Sequence, residues 1–234
     1  MPGTIVALGG GGFSMEPRNP LLDDFLLSLA RGRNPRVGFV GTASGDSPLY
    51  AARFLRAFRR RRCRPSVLSL FAPTAGRPLR AAVLDLDLVY VGGGNTRNLL
   101  VLWREWGLDR ILREAWRSGT VLAGISAGAI CWFEEGLSDA VVPGALRPLP
   151  CLGFLPGSHC PHYDGEPLRR PAYRRLVGSG AMRPGLAADD GVGLVFRGTR
   201  FAEAVSSRPR ARAWRVGREG GRAAETEVVP RRLG

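Results

Sequence analysis

Ser126 lies in a sequence context that can turn a serine hydroxyl into a nucleophile. Residues 124–128 read GISAG, the apolar run 120–123 precedes them, and the apolar residues 129–133 predict the start of a buried helix. This order of strand, sharp turn and helix is the G-x-S-x-G nucleophile elbow. The first N–H groups of the helix would face a developing oxyanion. Small residues at such a turn can also serve packing alone, so catalysis requires a base elsewhere in the chain.

Only two histidines are available as that base, and both follow the serine in the segment 157–164, GSHCPHYD. His162 comes after Pro161, which stiffens the loop, whereas His159 is equally compatible with a core or surface position. A carboxylate normally orients such a base. The carboxylates near the histidines are Glu134, Glu135, Asp139, Asp164 and Glu166. Surface carboxylates mostly face solvent without a catalytic role, so the residues alone leave the acid open.

Three motifs together resemble the peptidase E family of serine peptidases, the α-aspartyl dipeptidases. They are the elbow, the loop VGGGNT at 91–96 and the triplet Pro161-His162-Tyr163. The resemblance extends from the first predicted strand to beyond residue 177. It implies the fold of class I glutamine amidotransferases, whose elbow residue is cysteine, so Ser126 argues against an amidotransferase. It also implies a homodimer, short peptide substrates, and catalysis without a metal or cofactor.

The resemblance assigns roles to individual residues. Ser126 matches the nucleophile, His162 matches the base, and Asp139 matches the acid. The turn that contains Asp139 falls about two residues early, which keeps Glu134 as the alternative acid. Backbone N–H groups would form the oxyanion hole, and these belong to Gly93, Gly94 and Ala127.

Substrate recognition in this family uses an arginine in a Gly-Glu-x-Arg stretch, which holds an N-terminal aspartate. Here residues 165–170 read GEPLRR, with the arginine one residue late. The expected substrate-binding residues are Asn95, Glu166, Arg169 and Arg170. The shift leaves open a related serine exopeptidase with another specificity. A non-catalytic module that binds a ligand or a polyanion is the third possibility.

Alternating strands and helices must position these residues. Strands are predicted at 4–8, 36–40, 66–70, 86–91 and 120–123, and glycine-rich or small-residue loops follow four of them. This order predicts an α/β fold with a mostly parallel sheet and helices on both faces. Ligands of such sheets bind at the carboxyl ends of the strands. Short strand-like runs after Phe133 predict a mixed or antiparallel extension, and the whole chain 1–234 is expected to be one domain with a frayed tail at 219–234.

Composition restricts the remaining classes of function. The net charge is +14, yet every basic residue is arginine and the chain has neither Lys nor Gln, which indicates a codon preference rather than a nucleic-acid site. We therefore expect no specific nucleic-acid partner. No run of 18 apolar residues and no signal peptide are present, so we expect a cytoplasmic protein without a membrane span. The four cysteines lack C-x-x-C spacing, which predicts reduced thiols and no metal site.

Overall fold

The computed structural model describes residues 3–72, 77–142 and 144–234. The strands in these residues are β1 (Thr4–Leu8), β2 (Arg36–Val40), β3 (Arg64–Leu68), β4 (Leu88–Val91), β5 (Val121–Ile125), β6 (Phe133–Val142), β7 (Ala145–Pro150), β8 (Leu155–Cys160), β9 (Gly185–Ala188), β10 (Val192–Arg197), β11 (Arg200–Ser206), β12 (Ala213–Glu219), β13 (Arg222–Val228) and β14 (Arg231–Arg232). The helices are α1 (Gly12–Met15), α2 (Leu21–Leu29), α3 (Pro48–Phe58), α4 (Leu79–Leu84), α5 (Thr96–Trp106), α6 (Leu108–Arg117), α7 (Ala127–Ile130) and α8 (Arg169–Ser179).

The first sheet contains the predicted parallel strands. Its order is β14-β11-β10-β1-β5-β4-β2-β3, and the five strands β1, β5, β4, β2 and β3 are parallel to one another. Every residue of β1, β4 and β5 is buried, because helices cover both faces of this part of the sheet. The prediction of a mostly parallel sheet in an α/β fold is therefore confirmed.

The two faces of the first sheet carry separate apolar cores. One core joins Val6 and Leu8 of β1 to Phe13 of α1, to α2 and to Phe54 of α3. The other core joins Ile5 and Ala7 to α4, α5 and α6. Successive residues of a strand point to opposite faces, and β1 alternates between the two cores in this way. Helices on both faces are thus confirmed.

The second sheet is the mixed extension expected after Phe133. Its order is β13-β12-β9-β8-β6-β7, with β8 parallel to both β6 and β9 and the other pairs antiparallel. α8 packs against β12 and β13 of this sheet. The segment 134–163, which reads as rich in turns, contains three strands because β-pairing satisfies its backbone despite its prolines and glycines.

Two local expectations were wrong. Residues 222–228 and 231–232 of the supposedly frayed tail form β13 and β14, which pair with β12 and β11. Backbone pairing and the burial of Leu233 hold this tail on the sheets. The helix after the elbow is also shorter than expected, since α7 ends at Ile130 and Phe133 already begins β6.

No helix among the described residues has both the length and the apolar character needed to cross a bilayer.

Candidate active site

The elbow at Ser126 has the strained backbone that its sequence predicts. Ser126 has φ 56° and ψ −117°, a conformation that side chains rarely adopt, between β5 and α7. A Cβ atom on Gly124 would lie 2.0 Å from the carbonyl oxygen of Gly128, and one on Gly128 would lie 2.4 Å from that of Val91. Both glycines are therefore required for the close approach of the elbow to its own strand and to β4.

The loop after β4 forms one wall beside Ser126. A Cβ atom on Gly93 would lie 3.2 Å from Ser126 Cβ, and one on Gly94, which has φ 138°, would lie 2.2 Å from the carbonyl oxygen of Ala43. Asn95 is the N-cap residue just before α5, and its side chain accepts a hydrogen bond from the Asn98 N–H group at 2.9 Å. Since this contact uses the Asn95 side-chain oxygen as a helix cap, the structure gives Asn95 a positioning role for the loop.

The three expected oxyanion donors are not equivalent in the structure. The Gly93 N–H group donates a hydrogen bond to the Tyr50 hydroxyl at 3.3 Å, so it is already occupied. The N–H groups of Gly94 and Ala127 have no hydrogen-bond acceptor among the described residues. The N–H groups of Gly94 and Ala127 thus differ from that of Gly93, whose loop position lies close to Ser126.

His162 lies at the end of β1, next to the elbow. The backbone N–H of His162 donates to the Gly9 carbonyl at 3.0 Å, and that of Ser126 donates to the neighbouring Leu8 carbonyl at 3.4 Å. Leu8 and Gly9, which are consecutive residues at the end of β1, thus hold the backbones of Ser126 and His162. No hydrogen bond joins Ser126 Oγ to His162 Nε2 among the described residues. In free enzymes such bonds are often long and tighten when substrate binds.

Asp190 is the carboxylate that orients His162. The distance from His162 Nδ1 to Asp190 Oδ1 is 2.7 Å, and both side chains are about nine-tenths buried. A proton held on Nδ1 by this carboxylate leaves Nε2 as the basic nitrogen, which is the arrangement of a serine–histidine–acid triad. The backbone N–H of Asp190 in turn donates to Asp164 at 2.8 Å.

Glycines surround the Asp190 carboxylate closely. A Cβ atom on Gly10 would lie 2.0 Å from Asp190 Oδ1, and one on Gly165 would lie 2.5 Å from Oδ2. The neighbouring Asp189 accepts a hydrogen bond from the Arg212 N–H group at 2.8 Å, and burial raises the pKa of Asp189 to about 6. The absence of side chains at Gly10 and Gly165 therefore makes room for the histidine–carboxylate pair.

Neither expected acid contacts His162, so the assignment of Asp139, with Glu134 as its alternative, is corrected to Asp190. Asp139 is exposed on β6. Glu134 accepts a hydrogen bond from the Gly157 N–H group at 2.8 Å, in the first half of β8, whereas His162 follows the end of that strand. Asp190 lies 28 residues beyond His162, so closeness to the histidines in sequence does not point to it. The carboxylate pair at 189–190, directly after the short apolar run 186–188, was the available signal.

Three of the expected substrate-binding side chains, those of Glu166, Arg169 and Arg170, have partners within the protein. Arg169 is buried and donates to Glu166 at 2.6 Å and to the Leu137 carbonyl at 3.0 Å. Arg170 donates to Glu225 at 3.0 Å, and its guanidinium lies 4.4 Å from the Trp214 ring centre. The contacts with Leu137 and Glu225 join α8 to the second sheet, and the Arg170 side chain stays 44% exposed.

His159 and the cysteines lie outside the chemistry of this site. His159 is fully buried and stacks on Phe133 with ring centres 4.8 Å apart, and burial lowers its pKa to about 3. All four cysteines are free thiols. Among the described residues, no cluster of three or more histidine, cysteine or acidic side chains could hold a metal ion.

Comparison with known proteins places this geometry in a family. The model of peptidase family S51 matches residues 5–204, which span both the elbow and Asp190. The chain is 57% identical over 212 residues to the uncharacterized peptidase YgaJ of Bacillus subtilis strain 168, and the match covers 91% of each chain.

Two solved structures share the fold. The crystal structure of a peptidase from an acI-B1 Actinobacterium has a TM-score of 0.75 at 20% identity, over 98% of this chain and 95% of that one. A provisionally named peptidase E from Listeria monocytogenes EGD-e has a TM-score of 0.64 at 17% identity, over 86% of this chain and 98% of its own. With the match to the family model, these findings show that the chain belongs to peptidase family S51, the peptidase E family of serine peptidases.

Proposed function

We propose that the protein hydrolyses short peptides by an acyl-enzyme mechanism in which Ser126, His162 and Asp190 act as a catalytic triad. The observation that carries this proposal is the 2.7 Å contact between His162 Nδ1 and Asp190, beside a strained serine elbow. A buried histidine with a carboxylate on one nitrogen is suited to accept a proton on the other.

The chemistry has two halves. In the first, His162 Nε2 takes the proton of Ser126 Oγ, and the oxygen attacks the scissile carbonyl carbon. The N–H groups of Gly94 and Ala127 stabilise the resulting oxyanion, and His162 then protonates the leaving amine as the acyl-enzyme forms. In the second half, water attacks the acyl-enzyme with His162 again as the base, which releases the acid product and restores Ser126.

Dipeptides with an N-terminal aspartate are the substrates that the family resemblance favours. A related serine exopeptidase with another specificity is the second candidate, and a specific observation supports it. Arg169 and Arg170, which follow the family's aspartate-binding position by one and two residues, both have partners within the protein. A panel of Asp-Xaa, Ala-Xaa and longer peptides distinguishes the two candidates, since a strong preference for Asp-Xaa would remove the second.

The mechanism itself is tested by Ser126→Ala. We expect hydrolysis of the best peptide in the panel to fall by about a thousandfold or more, because removal of a nucleophile abolishes the acyl-enzyme route. The half-buried hydroxyl makes no hydrogen bond to other described residues, so circular dichroism and the unfolding midpoint should stay unchanged. Full activity of a correctly folded Ser126→Ala protein would eliminate this mechanism.

A further inference from the structure

A cavity of about 460 Å³ opens between α1 and α3 on one side of the first sheet. Residues 13–15 and Pro17 line one wall. Arg53, Arg56 and Ala57 of α3 line the other wall, together with Arg60, which lies two residues beyond the end of α3. Apolar atoms of Phe13 and Met15 therefore face a row of guanidinium groups.

The three arginines of this cavity have no partner among the described residues. Arg53, Arg56 and Arg60 are exposed, and none of them forms a hydrogen bond or ion pair with a described residue. By contrast, Arg61 pairs with Asp23 and Asp24. Spacings of three and four residues place the three cations on one side of a helix, where like charges repel each other. An anionic ligand in the cavity would relieve that repulsion.

A short hydrogen-bonded path connects the cavity to the proposed catalytic centre. Ser14 Oγ on the cavity wall lies 2.8 Å from the Tyr50 hydroxyl, which accepts the hydrogen bond from the Gly93 N–H group. Gly93 packs directly against Ser126. An extended peptide advances about 3.3–3.6 Å per residue. The Tyr50 hydroxyl alone separates Ser14 on the cavity wall from Gly93 beside Ser126, which places this wall within a few residues of an extended peptide bound at Ser126.

We infer that this cavity is a subsite for carboxylate groups of an acidic peptide substrate, at positions away from the scissile bond. The inference rests on the proposed peptidase function and extends it to the recognition of longer peptides. Guanidinium groups bind carboxylates through paired, charge-assisted hydrogen bonds. The apolar wall at Phe13 and Met15 suits the methylene groups of a glutamate side chain. Recognition here would not need Arg169 or Arg170, which are paired internally.

Binding to an inactive protein tests the subsite independently of hydrolysis. In the Ser126→Ala background, we compare fluorescent pentaglutamate with pentaglutamine by anisotropy at low salt. We expect the Arg53→Gln/Arg56→Gln double variant to bind pentaglutamate at least tenfold more weakly. The matched control is Arg59→Gln/Arg62→Gln, which removes the same charge from exposed arginines outside the cavity lining and should change the Kd less than twofold. Equal losses in both double variants would overturn the inference, because they would indicate a general charge effect.

Kinetics with the intact serine complete the test. Peptides that carry glutamate distal to the scissile bond should have at least tenfold higher kcat/KM than their glutamine counterparts, and 0.5 M NaCl should reduce this advantage. Arg53→Gln/Arg56→Gln should abolish the advantage without changing kcat/KM for the neutral peptides. Preference for phosphoserine peptides over glutamate peptides would overturn the carboxylate assignment. Arginine-dependent binding without hydrolysis of any peptide would support the subsite and contradict the peptidase proposal instead.

Discussion

At the scale of single residues, the position of His162 is the most informative feature of the site. Its backbone is held by Gly9, its φ of 54° is unusual for a side-chain-bearing residue, and its Nδ1 atom contacts Asp190. A residue in such a conformation persists only where its surroundings fix it. The ring is therefore held in one orientation before any substrate binds.

Asp190→Asn should lower kcat by about 10³- to 10⁴-fold with little change in KM, because an amide no longer fixes the imidazole tautomer that leaves Nε2 basic. Steady-state kinetics on the best peptide measure both constants.

The matched control is Asp139→Asn, an exposed carboxylate of β6 that we expect to be silent. A large loss of kcat with Asp139→Asn and none with Asp190→Asn would show that Asp139 is the acid.

At the scale of elements, the active site depends on close packing of β5, α7 and β4. The main chains of these elements come together at Gly124 and Gly128, where a methyl group would overlap a carbonyl oxygen. Because backbone cannot move aside as a flexible side chain can, the geometry of the elbow and the stability of the sheet depend on the same two glycines.

Gly124→Ala should lower the free energy of unfolding by about 3 kcal/mol or more, since its Cβ atom would lie 2.0 Å from the Gly128 carbonyl oxygen. Urea denaturation measures this change. Gly217→Ala on β12 is the control, because its Cβ atom would meet only one atom, at 3.9 Å. Equal stability of the two variants would show that the elbow can relax around the added methyl group.

At the scale of the whole molecule, the chain ends on the first sheet after it has completed the second. β14 pairs with β11, and Leu233 donates its N–H group to the Ser206 carbonyl at 2.9 Å. The Leu233 side chain is buried in the core that also contains Leu22 and Phe54. Residues 222–233 thus connect both sheets and contribute to the core between the first sheet and α1, α2 and α3.

Leu233→Ala should reduce the free energy of unfolding by about 2 kcal/mol and the Tm by about 4–8 °C, because it removes buried apolar surface. Thermal unfolding followed by circular dichroism measures the shift. Arg232→Ala, at an exposed neighbouring position, should leave the Tm nearly unchanged. A Tm unaffected by either change would mean that the tail is frayed in solution.

The sequence by itself determined the features that depend on local order. Apolar runs followed by small residues predicted the parallel strands, their common carboxyl edge and the elbow at Ser126, and a chain with two histidines restricted the base to one loop. These predictions depend on neighbouring residues, whose spacing is visible in the chain.

Only the tertiary structure decided which distant groups meet. Asp190 reaches His162 because the loops after β8 and β9 converge on Gly9 and Gly10, and nothing in the spacing of 28 residues between the two side chains specifies that contact. The same holds for Arg169 and Arg170, whose partners lie on β6 and β13. Sheet pairing brings such residues together across long stretches of chain. The contact of Asp190 with His162 and the partners of Arg169 and Arg170 therefore follow only from the folded structure.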